Sequence, residues 1–158
     1  MRSETRIIEA GDPLYDHLEQ FKMYASVPDN TRDGMLLKIL KRAMLTVQEY
    51  ADKALLPCVI ELTAYDVEPG EALRLYQGGR DVVSVTDREG VDVDFTPDSG
   101  RVIINRRASS VTVTYTNEVV VADAERLQPV CWELATAIYD GEEASRQASI
   151  LKKTYSAL

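Results

Sequence analysis

Cys131, one residue before the sole tryptophan and two before Glu133, is the first side chain that could do chemistry. A thiol attacks only as thiolate, and lowering its pKa takes a histidine, another cation or a helix N-terminus. The sole histidine, His17, falls in a different predicted helix with no supporting motif around it. Cys131 lies on an apolar run with Val130 and Leu134, where a free cysteine packs as a small hydrophobe. Cys58, at the start of a predicted strand, reads the same way. Asp92 and Asp94, with Asp87, Glu89 and Asp98 nearby, are the candidates for a hard cation. Such an ion needs several oxygens converging from a loop. In "VDVDF" the alternation puts both aspartates on the solvent side of a strand, with Val91, Val93 and Phe95 inward. A solvated acidic face is the better reading. A small acidic metal-dependent enzyme or binding domain using Asp92 and Asp94 is the alternative.

The remaining motifs are weaker. "YQGGRD" is followed by neither Lys-Ser/Thr nor a helix, so its glycines make a turn rather than a phosphate loop. Arg106 and Arg107 sit at a strand end in an acidic segment, suited to solvent or to a partner's carboxylates. Trp132, beside the apolar face of its helix, is core or an aromatic interface anchor. The sequence therefore names no catalytic residue, no cofactor and no metal ligand. Its candidate interface residues are Lys38, Lys41, Arg42, Arg80, Asp92, Asp94, Arg106, Arg107 and Trp132.

The elements that must position these residues follow from periodicity. "LYDHLEQFKMYA" (14–25) predicts a short helix, closed by "SVPDN". Asn30 or Thr31 caps a long helix whose apolar positions Leu36, Leu40, Ala43, Val47, Tyr50 and Ala54 recur at helical spacing until Pro57. The period then becomes two. "CVIELTAY", "EALRLY", "VVSV", "VDVDF", "RVIIN" and "VTVTYT" predict an antiparallel meander with short turns. Helical period returns at Asp123 and runs to about Tyr139. Residues 145–158 suit a further helix or tail, and residues 1–12 a flexible arm. The expected architecture is α+β in a single domain over 1–158. It has a long N-terminal helix, a small antiparallel β-sheet insertion, and C-terminal helices packed on the first.

Charge bounds the partners. The chain has 158 residues, 18 basic and 26 acidic, for a net charge of −8. Residues 57–121 carry 6 basic and 11 acidic groups, and no segment forms a basic patch. Tight binding to phosphates is disfavoured, although an acidic wall can let DNA slide past. Two cysteines do not make a disulfide framework, which predicts synthesis in a reducing cytoplasm. No apolar run suits a signal peptide or a membrane span.

The order of elements carries a resemblance. Glu49, Tyr50 and Leu55 or Leu56 close the long helix, and Leu73, Leu75, Val82 or Val83, Ser84 and Val85 follow in a strand pattern. Gly100, Val102–Ile104, Tyr115 and Thr116 form a strand–Gly–strand passage, and Leu134, Ala135, Tyr139 and Asp140 mark the closing helix. Over about residues 20–145 this resembles the head–tail connector family of tailed bacteriophages, the head-completion adaptors associated with DNA packaging. The resemblance implies a structural protein without enzymatic activity, made in the bacterial host cytoplasm and located in the virion neck. It implies self-association into a ring under the portal protein, an extended DNA channel without sequence-specific binding, and docking of a neck or tail-completion protein. No membrane partner is implied.

Overall fold

The computed structural model describes residues 2–158, and its first element is a strand. β1 (Arg2–Ala10) occupies the segment expected to be an arm, so the chain does not open on a helix. Its own pattern is mostly polar, with exposed side chains along nearly its whole length. What makes it a strand is β2 (Cys58–Val67), which pairs with it antiparallel from Arg2↔Tyr65 to Ala10↔Cys58. Side chains reinforce the pairing on the outer face. Arg6 meets Glu61 at 3.2 Å, the Tyr65 hydroxyl donates to Glu4 at 2.8 Å, and Arg2 lies 4.6 Å from the Tyr65 ring centre. Such cross-strand pairs stabilise a sheet by tenths of a kcal/mol each, about 0.2–1.

The α+β class holds, but the β part is larger than one small insertion. β1, β2, β4 (Gly79–Asp87) and β7 (Ala108–Asn117) form one antiparallel sheet in the order β1-β2-β7-β4. β3 (Ala72–Arg74), β5 (Phe95–Asp98) and β6 (Arg101–Ile104) form a second, ordered β3-β6-β5. These strands lie in a compact unit of residues 2–10 and 57–118. Its core alternates as strand period demands: Ile60, Leu62 and Ala64 from β2, Val111, Val113 and Tyr115 from β7, and Val102 and Ile104 from β6 are buried. "VDVDF" is not a regular strand. Only Asp92 bridges to Thr86, Val91 is exposed, and β5 begins at Phe95.

The second unit, residues 11–56 and 119–158, is helical. It contains α1 (Tyr15–Tyr24), α2 (Asp33–Ala51), α3 (Val121–Tyr139), α4 (Ala144–Leu151) and the single turn α5 (Thr154–Ala157). The long helix is thus the second helix and not the N-terminal element. α2 buries Leu36, Leu40, Ala43, Met44 and Val47, while α3 buries Leu127, Val130, Cys131, Leu134 and Ala135. The predicted cap of α2 is replaced by other contacts. Asn30 accepts from the buried Lys22 ammonium at 2.6 Å, Asp29 folds back onto Thr31, and Arg32 stands at the N-cap. α2 stops at Asp52, in left-handed conformation, well before Pro57. The predicted tail is anchored: Ile150 and Thr154 are buried, and Glu133 of α3 accepts from Arg146 at 3.3 Å and Lys153 at 2.6 Å.

Candidate functional site

The helical unit brings together two residues that the sequence keeps far apart. His17 of α1 and Cys131 of α3 line the same cavity, of about 330 Å³, with Met44 of α2 and Trp132. The 3.6-residue period explains the convergence: His17 stands between the buried Leu18 and the α1 surface, while Cys131 and Trp132 sit on the buried side of α3. His17 meets the Trp132 ring edge-on at 6.0 Å between centres, and Phe21 packs 6.2 Å from the same ring. A histidine and a cysteine in one cavity invite a thiolate reading, but the electrostatics point the other way. Burial pushes the Cys131 thiol up to about 12. At neutral pH that leaves roughly one thiolate in 10⁵, whereas reactive cysteines are tuned to roughly 3.5–7.5. The Cys131 thiol is therefore protonated at neutral pH and packs as an apolar group.

The walls of the cavity are apolar and its mouth is mixed. Leu14 and Val121 stand at the rim, 65% and 67% exposed. The Gln128 amide donates to Gln20 at 2.7 Å across one side, and Glu125 lines another. Large aliphatic side chains this exposed, around a concave apolar floor, mark a surface suited to docking.

The predicted interface residues fall in different settings. Lys38 and Arg42 lie on the exposed side of α2 without an ion-pair partner among the described residues, while Lys41 pairs with Asp12 at 2.9 Å. Arg80 pairs with Glu118. Arg106 meets Asp87 at 2.8 Å, and Arg107 approaches Glu68 at 3.4 Å. Trp132 is nearly buried, forming part of the cavity floor rather than a protruding anchor. Asp92 and Asp94 do not converge with other ligands, and the described residues hold no cluster of three or more His, Cys, Asp or Glu able to bind a metal. Asp94 instead accepts from the Asn105 amide at 3.3 Å.

No protein-family model matches the chain, and no curated protein matches it. Solved structures do. A chain from the neck of an empty gene transfer agent (GTA) particle, computed with C6 symmetry, superposes with a TM-score of 0.60 and 17% identity, over 87% of this chain and 84% of that one. A chain from the virion of a native GTA particle superposes with a TM-score of 0.57 and 15% identity, over 94% and 93%. The fold is that of GTA particle chains. At such identity the likeness concerns the path of the backbone, and the side chains must be argued from this sequence.

Several working residues carry no motif. Gln48 is fully buried near the end of α2, and its Oε1 accepts from the backbone N–H of Leu55 at 2.8 Å and of Leu56 at 3.0 Å. Asn117 does the same for Cys58 N–H at 2.7 Å. Asp87 accepts from the backbone of Glu89 and Val91, each at 3.0 Å, and these bonds with Arg106 hold its carboxyl below the usual range. A polar residue on an otherwise apolar face is the signal that could have found Gln48.

Proposed function

We propose that this chain is a structural protein in the neck of a tailed phage-like particle. In this reading its copies form a ring under the portal, extend the DNA channel and dock a neck or tail-completion protein. It works by packing and docking rather than by catalysis. The observation that carries the reading is the fold likeness, nearly full-length on both sides, to chains of a GTA neck and a GTA virion. That neck was computed with C6 symmetry, and one contact repeated around an axis is how identical subunits close a ring. The net charge of −8 also suits a channel wall, since an acidic surface does not retain DNA.

The test compares particles from a host carrying the gene with particles from a host lacking it. Mass spectrometry of purified particles should find several copies of the chain per particle. Without the gene, electron microscopy should show filled heads that carry no tails. Tailed particles at normal yield in its absence would refute the reading.

A further inference from the structure

The helical unit presents two unsatisfied surfaces that complement each other. The first is the cavity of α1, α2 and α3, with Leu14 and Val121 exposed at its mouth. Its α3 rim is acidic at Glu125, which lines the cavity and has no ion-pair partner among the described residues; Arg126 is the adjacent cation. Pro129, inside α3, has no N–H to offer the Glu125 carbonyl one turn back.

The second surface is a ridge on α2. Met35 is 46% exposed, and Lys38 and Arg42 follow at the spacing that places all three along one side. Met44, on the cavity wall, lies roughly 120–180° around the same helix from these three residues at 100° per residue. One subunit therefore carries the apolar-and-acidic cavity and the apolar-and-basic ridge on different sides.

We infer that the Met35–Lys38–Arg42 ridge of one copy docks on the α1–α3 cavity of a second copy. Met35 meets the Leu14–Val121 mouth, and the two cations meet the Glu125 rim. Because the two patches differ and face apart, the contact is heterologous: every subunit gives one ridge and receives one. The inference rests on the self-assembly in the reading above and supplies it with a pair of surfaces. A partner of opposite charge design, or an apolar ligand in the cavity, would not need the ridge at all.

The test uses the full chain, the ridge variant Lys38→Ser/Arg42→Ser, which is neutral so that it cannot pair with a reversed rim, and the rim variant Val121→Lys/Glu125→Lys, all at exposed positions. Sedimentation is followed at rising concentration, with circular dichroism confirming that each variant folds. The wild type should form oligomers larger than dimers, and each variant alone should associate at least tenfold more weakly. An equimolar mixture of the two variants should stop at dimers, because it restores one ridge and one cavity per pair. In a second measurement, Met35→Cys on one chain and Leu14→Cys on another should give a disulfide-linked heterodimer under mild oxidation. A wild type that stays monomeric, variants that associate as the wild type does, or a mixture that forms no dimer would each overturn the inference. So would absence of the heterodimer. None of these outcomes alters whether the chain is found in particles, so the inference and the neck reading can fail separately.

Discussion

Replacing Gln48 with Met tests whether a single buried amide holds the end of α2 together. The exchange keeps length, volume and helix propensity nearly constant, so the change falls on hydrogen bonding. Gln48 is fully buried, and its Oε1 is the acceptor for two backbone N–H groups, from Leu55 and Leu56. Those residues follow the left-handed Asp52, where the chain has left the helix and its carbonyl ladder. Each buried donor without an acceptor costs about 1–3 kcal/mol. Two such donors, offset in part by the greater apolar character of Met, give an expected loss of about 3 kcal/mol. Trp132 lies in the same helical unit as Gln48 and is the sole tryptophan, so its fluorescence reports the unfolding of that unit. With a urea m-value of about 1.5 kcal/mol/M, the midpoint of Gln48→Met should fall by about 2 M. Gln48→Glu retains an acceptor and should lie between the two at low pH. A Gln48→Met midpoint within about 0.3 M of the wild type would refute the argument, because the two N–H groups would then have found other acceptors.

Three further outcomes are expected. Gly79→Ala would place a Cβ 2.4 Å from the Tyr115 ring and 2.6 Å from the Leu75 Cβ, so calorimetry should show a loss of about 2 kcal/mol or more, whereas an unchanged melting temperature would show that the ring moves freely. Cys131 ionises in the unfolded chain near 9 but in the folded protein only at about 12, so its contribution is complete below pH 9 and lost as pH rises towards 12. Stability should therefore fall by about 1.4 kcal/mol more between pH 8 and 10 in the wild type than in Cys131→Ala, and equal slopes would sink this account. Asp87 has the opposite sign: its carboxyl is held low, so its contribution is present above the unfolded value and lost as pH falls through the folded one. Asp87→Asn should flatten the loss of stability below pH 4, and an unaltered acid limb would show that the turn bonds at Glu89 and Val91 do not depend on charge.

The regular parts of the fold were legible where burial is one-sided. α2 and α3 repeat apolar residues at helical spacing, and β2 and β7 alternate cleanly, because each presents a single face to a core. β1 was not legible. Its strand character comes from the backbone groups of β2, nearly 50 residues away along the chain, and its own side chains bury too little to show a period. The same holds at the N-terminus of α2, where Asn30 is drawn off by Lys22 and the cap predicted from residue type does not form. "VDVDF" failed in the other direction: its alternation is genuine, yet the Asp87 turn holds Val91 outside.

The sequence by itself determined the α+β class and the packing fate of Cys131, because these depend on residue type and local period. It also named Lys38, Arg42 and Trp132, but as separate positions. Tertiary structure alone decided that Trp132 joins His17 and Met44 in one cavity and that Lys38 and Arg42 face away from it. Such convergence depends on how three helices pack, and no local pattern encodes the face that one helix turns towards another.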